Sequence, residues 1–213
     1  MGTSRFHVPL APEGWPFVAI PAALAAALVV RGHRALAAPF AVASLAALGF
    51  FRDPEREPPA VADGVLAPAD GRVLAVEETE DAFVGPAVRV AIFLSPLDVH
   101  VNRAPIASLV AGVAWTRGRF VAAYRRDSSD VNERCTLHLQ GERARVTVVQ
   151  IAGVVARRIV CRVGAGDKLV AGARFGMIRF GSRTDCLMPR GTRVTVRVGD
   201  RVTAGVTVIG MLT

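Results

Sequence analysis

Two uncharged runs stand near the start of the chain. Trp15 to Val30 carries no charged residue, Arg31-Gly32-His33-Arg34 interrupts, and Ala35 to Phe51 is uncharged again. Neither run has a polar face at helical spacing, so both read as helices apolar all round. Each is at or just below the length that spans a bilayer, and Pro16, Pro21 and Pro39 start or kink helices there. The pattern predicts an N-terminal membrane-associating hairpin within residues 1–56. Basic residues follow the first run where a signal peptide would need a small-residue cleavage site, which argues against a cleaved leader. The basic turn prefers the cytoplasmic side, whereas two full spans return both termini to one side; a shallow re-entrant hairpin removes the conflict. The alternative is a pair of helices buried in a soluble core. Phe51-Arg52-Asp53-Pro54 ends the segment and Pro58-Pro59 begins a linker.

The texture then changes to short apolar runs between turn residues: Gly64 to Ala67, Arg72 to Val76, Val88 to Leu94, Arg145 to Ile151, Ala156 to Val163, Thr192 to Val198 and Val206 to Leu212. Gly, Pro and Asp punctuate them at short intervals. This predicts a mainly β domain over residues 57–213, a β-sandwich or flattened barrel. An internal echo lies inside it. Gly166-Asp167-Lys168-Leu169-Val170-Ala171-Gly172 matches Gly199-Asp200-Arg201-Val202-Thr203-Ala204-Gly205 at an offset of 33 residues. Glycines at both ends suit turns of positive φ around a short strand. The pair resembles the half-motifs of biotinyl and lipoyl domains. Those carriers show a lysine at a hairpin tip, whereas the single lysine here, Lys168, sits inside the turn, which argues against a carrier.

A net charge of +8 favours an anionic partner: nucleic acid, acidic lipid or a phosphorylated metabolite. With 6% aromatic residues and no recognition-helix, zinc-finger or RRM signature, nucleic acid is disfavoured. Cys135, Cys161 and Cys186 are odd in number and widely spaced, so reduced thiols fit better than a disulfide framework or a zinc knuckle.

Four stretches hold the candidate chemistry. Ala67-Pro68-Ala69-Asp70-Gly71 places an acid in a tight turn. Ser95-Pro96-Leu97-Asp98-Val99-His100-Val101-Asn102-Arg103-Ala104-Pro105 packs Asp, His, Asn and Arg together after a strand. Asn132-Glu133-Arg134 follows, and Arg174 to Asp185 contains Gly181-Ser182. Singly each has an ordinary reading: a turn former, a structural histidine, a solvated loop, a common dipeptide.

In combination and order they resemble the phosphatidylserine decarboxylase family in its short form, from about Phe51 to the C-terminus. The matching pieces are Phe51-Arg52-Asp53-Pro54, Pro-Ala-Asp-Gly, Ser-Pro-Leu-Asp-Val-His-Val-Asn-Arg-Ala-Pro, Asn-Glu-Arg, Ile151-Ala152-Gly153 and Phe175 to Ser182. Related decarboxylases of archaeal lipids share the pattern. Long-form members resemble Leu-Gly-Ser-Thr where this chain has Phe180-Gly181-Ser182-Arg183, and they carry a second histidine where it has Arg103.

The resemblance implies cleavage between Gly181 and Ser182, giving chains 1–181 and 182–213 that stay together as a heterodimer. Ser182 becomes a pyruvoyl group, which accepts the amine of phosphatidylserine as a Schiff base and takes up the electron pair as carbon dioxide leaves. Neither a metal nor pyridoxal phosphate is implied, and the lone lysine agrees with the latter. His100 is the candidate base for the Ser182 hydroxyl and Asp70 the group that orients it. His100 also serves as acid towards the carbanion. Arg103, Asn132 and Arg134 are candidate head-group contacts. The expected place is the cell membrane, with the β-domain on the cytoplasmic side. Two alternatives stand beside this: a non-catalytic, membrane-tethered β-domain that binds anionic lipid, and a pyruvoyl decarboxylase of another amine.

Overall fold

The computed structural model describes residues 9–118, 131–153, 158–179 and 182–213. The chain divides into two compact units, 1–55 and 56–213. In the first, a 3-10 turn at Pro12–Gly14 leads into α1 (Trp15–Val30), and α2 (Arg34–Phe50) returns beside it. Pro12 to Val30 is long and apolar enough to cross a membrane; α2 is shorter. At 1.5 Å per residue, 19 residues reach about 28 Å, close to a hydrocarbon core. Ile20, Val30, Leu36, Val42 and Leu45 are each more than 60% exposed, unlike a buried helix pair. The hairpin is pinned at its base, where Ala11 N donates to Phe51 O and Asp53 N to Pro9 O. Gly14 packs where any Cβ would come within 2.5 Å of Phe51.

The second unit is mainly β, as its patterning predicts. Its large sheet runs β13 (Arg201–Val202), β2 (Gly71–Asp81), β3 (Gly85–Leu94), β11 (Ser182–Pro189), β7 (Arg145–Ile151), β6 (Arg134–Gln140), β5 (Ser108–Thr116), β9 (Lys168–Leu169), curled into a half-barrel. One small sheet is β4 (Val101–Arg103), β10 (Arg174–Ile178) and β8 (Ile159–Cys161). Another is β1 (Gly64–Leu66), β14 (Val208–Met211) and β12 (Arg193–Val194). Val73, Val90, Ile92, Leu137, Val148, Cys186 and Met188 project from one side of the large sheet into the main core, where Val65 and Ile209 of the β1 sheet meet them. Such strands alternate inward and outward residues with period two.

The sequence echo is a real structural repeat. Gly166 and Gly199 open their turns, and Gly172 and Gly205 close them, all at positive φ. Asp167 and Asp200 accept from the backbone N–H three residues earlier, at 2.8 and 3.0 Å. The first turn then bonds to Val110 of β5 and the second to Val73 of β2, while the closing glycines donate to Ala104 O and Ala67 O. Ala67-Pro68 and Ala104-Pro105 thus hold equivalent places.

β5, β6, β10 and β11 lie outside the runs read as strands. β11 hides best, because Arg183 and Asp185 interrupt its apolar pattern although both are at most 3% exposed. The predicted strand Thr192 to Val198 shortens to β12, since the Asp200 turn bends the chain at Arg197. The expected strand Ala156 to Val163 is seen as β8, its first two residues lying outside those described.

Gly71 has φ +149°, and a Cβ there would lie 2.0 Å from Phe93 O. Gly71→Ala is therefore expected to cost more than about 3 kcal/mol in urea unfolding, against under about 0.5 for Gly164→Ala, whose Cβ would meet nothing. Equal midpoints for the two variants would refute this account of the β2–β3 pairing.

Candidate active site

β11 opens at Ser182, paired with Leu94 at the end of β3. Alternation puts Ser182, Thr184, Cys186 and Met188 on the core side and Arg183 and Asp185 on the other. Ser182 is fully buried, and its Oγ has no hydrogen-bond partner among the described residues. Gly181 and Phe180 lie outside the described residues, so the bond predicted to be cut is not placed.

His100 reaches the same region from β4. After β3 the chain turns at Ser95, whose N and Oγ donate to Asp98 Oδ2 at 2.8 and 2.7 Å; Arg201 donates to Asp98 Oδ1. The turn delivers a fully buried His100, whose Nδ1 lies 2.9 Å from Asp98 O. A carbonyl only accepts, so Nδ1 carries a proton, and Nε2 is the nitrogen that can take one up. Ile178 N bonds to His100 O, which sets His100 beside the end of β10, four residues before Ser182.

Asn102 ties these strands together. Its Nδ2 donates to Thr184 Oγ1 at 3.2 Å and Pro68 O at 3.3 Å, and its Oδ1 accepts from Gln150 Nε2 at 2.8 Å. Asn102, Gln150 and Thr184 are at most 1% exposed. Gln150 and Thr184 stand opposite each other on β7 and β11, while Asn102 stands opposite Gly176 on β10. Gly176 has to be glycine: a Cβ would meet Val160 O at 2.2 Å and Gln150 Nε2 at 3.1 Å. The small sheet is thereby locked face to face with the large one. His100 precedes Asn102 by two residues and Ser182 precedes Thr184 by two, so each lies two residues along the chain from the Asn102–Thr184 contact.

Asp70 lies nearby but is otherwise engaged. Arg56 grips both its oxygens at 2.5 and 2.8 Å, and Ala204 N donates to it at 2.8 Å. The contact described for His100 Nδ1 is Asp98 O. In the turn that carries Asp70, Pro68 O accepts from both Arg103 N and Asn102 Nδ2. Arg103 points to the opposite face of β4 from His100, and its Nη1 donates to Gly172 O. Asn132, in a stretch that reads as a solvated loop, is fully buried and donates to Ala152 O at 2.6 Å. Arg134 is half-buried at the start of β6.

Sequence reasoning placed Asn102 and Thr184 in singled-out stretches without giving either a site-building role, and it missed Gln150 and Arg56. The lone amide in the apolar run Arg145 to Ile151 was a readable signal for Gln150; Arg56, just before the Pro58-Pro59 linker, offered none. Behind Ser182, on the outer side of the sheet, Arg183 grips Asp185 at 2.6 and 2.8 Å with Arg89 alongside. Burial pushes the Asp185 carboxyl up, and its arginines oppose this. The Cys161 thiol, beside Gly176, is lowered to about 7 by its hydrogen bond with Cys135, which the same contact and burial push up.

These features define a small β-domain, preceded by an apolar helical hairpin, with a buried serine and histidine on facing sheets. The family profile for phosphatidylserine decarboxylase matches residues 44–210, and the chain belongs to that family. A phosphatidylserine decarboxylase proenzyme of Aromatoleum aromaticum is 44% identical over the whole of both chains. One from Symbiobacterium thermophilum is 49% identical over 95% of each, and one from Burkholderia ambifaria 42% over 97% of each.

Thr184→Val strands the Asn102 amide and is expected to cost about 1–3 kcal/mol, whereas Thr184→Ser keeps the hydroxyl and most of the stability. Equal thermal denaturation of the two would show that the bond carries no weight. For the thiols, alkylation of the folded protein mapped by mass spectrometry is expected to label Cys161 first, its rate rising through about pH 7 as the thiolate forms. A rise only near pH 9 would contradict the Cys135 contact.

Proposed function

We propose that this chain decarboxylates phosphatidylserine to phosphatidylethanolamine, using a pyruvoyl group that it makes by cutting itself between Gly181 and Ser182. The carrying observation is a buried Ser182 hydroxyl at the start of a central strand, with a buried His100 two residues before the Asn102 that bonds Thr184 of that strand. The relatives' designation as proenzymes supports a processing step, and their substrate supports the lipid.

In the processing step His100 Nε2 takes the proton from Ser182 Oγ as the oxygen attacks the Gly181 carbonyl. The C–N bond breaks, the proton passes to the Ser182 nitrogen, and an ester replaces the amide. Loss of the Ser182 Cα proton then expels the Gly181 carboxylate. Water adds to the resulting dehydroalanine and ammonia leaves, so residue 182 ends as the pyruvoyl terminus. A buried hydroxyl with no described partner suits a side chain consumed in this way, whereas Lys168, exposed in a turn, does not suit a lysine-held cofactor. The pyruvoyl group supplies an electron sink for the pair released by decarboxylation.

The chain's own groups do the rest. Asn102 holds β4 against β11, so His100 keeps its place before and after the cut. Asp70 acts at one remove, by fixing the turn whose Pro68 O receives Asn102. His100 returns a proton to the substrate carbon. Arg134 is the head-group candidate at the open end of the sheet. Because β11 is bonded on both sides, to β3 and to β7, residues 182–213 stay in place when the bond is cut, as a two-chain enzyme requires. The apolar hairpin supplies membrane anchoring.

Denaturing mass spectrometry tests this directly. The purified protein should give two chains broken at Gly181/Ser182, the smaller one lighter by one ammonia than its serine-terminated form, and Ser182→Ala should give a single inactive chain. An unbroken wild-type chain with full activity on phosphatidylserine would overturn the proposal.

A further inference from the structure

The two ends of the large sheet differ in charge. The register row at the Ser182 end runs Arg201, Arg72, Phe93, Arg183, Ile151, Arg134, Thr116 across seven strands. It contains four arginines and no acid. Arg183 and Arg201 are paired with Asp185 and Asp98. Arg72, together with Arg117 and Arg158 at the same end, is exposed and has no ionic partner among the described residues. The far end of β2 carries Glu77, Glu78, Glu80 and Asp81, of which Glu77 is paired with Arg89 and Glu78 and Glu80 with Arg190.

The same end also bears apolar tips. Leu97, in the turn that leads to His100, is 83% exposed; Trp115 of β5 is 55% exposed and Val198 63%. The turns carrying Leu97 and Val198 are joined through Arg201, which bonds to Asp98 and follows the Asp200 turn. Leu97 projects from a turn held by two Ser95–Asp98 hydrogen bonds, so its exposure is built in. Exposed aliphatic tips beside unpaired arginines suit an anionic bilayer. Tryptophan prefers the membrane interface, and each basic residue near an anionic surface strengthens partitioning roughly fivefold.

We infer that the Ser182 end of the large sheet docks on an anionic bilayer, with Leu97 and Trp115 entering the interface and Arg72, Arg117 and Arg158 facing lipid head groups. The far end carries acids matched by arginines, whereas this end carries arginines without ionic partners among the described residues, so the charge distribution orients the domain with the start of β11 towards the lipid. The inference goes beyond the decarboxylase reading, resting on it only for the choice of a lipid surface as partner.

The sequence holds two tryptophans, Trp15 and Trp115, so Trp15→Phe leaves Trp115 as sole reporter in the full chain. The protein is reconstituted in phosphatidylcholine vesicles with or without phosphatidylglycerol, using acyl chains brominated for quenching. Phosphatidylglycerol has no amine or carboxylate to react, so the readout is independent of decarboxylation and of whether the chain is cut. With phosphatidylglycerol, Trp115 emission should shift to the blue and be quenched by half or more. Without it, in 0.5 M salt, or in Arg72→Glu/Arg117→Glu, quenching should fall at least twofold. Folding of the variant is checked by its thermal midpoint. Quenching that is equal in neutral and anionic vesicles, or a Trp115 fully open to aqueous iodide in both, would overturn the inference.

Discussion

The arrangement of the β-domain depends on the side chain of Asn102. Its amide engages Pro68 on one strand connection, Thr184 on β11 and Gln150 on β7, with all three polar side chains sealed from water. A buried amide that loses a partner has no solvent to replace it, so the three segments either dock together or not at all. One contact therefore fixes the distance between the sheets, the register of β4 against β11, and the position of the turn that carries Asp70. Gly176 permits it, because any side chain there would hold the sheets apart.

The repeat explains how two distant loops come to serve one site. Each Gly-Asp turn hooks onto a long strand of the large sheet, and each closing glycine caps an Ala-Pro step. One Ala-Pro step leads into the Asp70 turn; the other follows directly on His100, Asn102 and Arg103. Arg103 lies between the halves, bonded to Gly172 and packed where Gly205 leaves no room for a Cβ. Its position suits a structural bolt.

In the proposed processing reaction, placing Ser182 at the head of a central strand reconciles two demands. The residue must be reachable by a base, so it stands at the end of the strand, where the chain arrives from another sheet. The segment after it must survive loss of its covalent tie, so it is bonded on both sides and secured by the buried Arg183–Asp185 pair on the outer face. Taking two charges out of water is costly, and here each is satisfied by a two-point contact, so removing either alone would strand the other.

The helical hairpin, the mainly β character and the paired glycine turns were legible in the chain, and Ser182, His100 and Asp70 could be singled out as candidates, because each rests on local pattern: uncharged runs, short apolar stretches, glycine spacing and ordered motifs. Strand β11 was not, since its charged residues are buried only by virtue of a partner two positions away and neighbours from distant strands. Asn132 read as solvated because nothing local reveals Ala152 O as its partner. Nor could spacing show that Arg56 takes up Asp70, or that an asparagine, a glutamine and a threonine far apart in sequence form the clamp between the sheets. The sequence by itself determined which residues could do chemistry and which segments would be strand or helix. Only the tertiary structure decided which of them share a face and a rung, because strand order and sheet stacking arise from contacts between residues far apart along the chain.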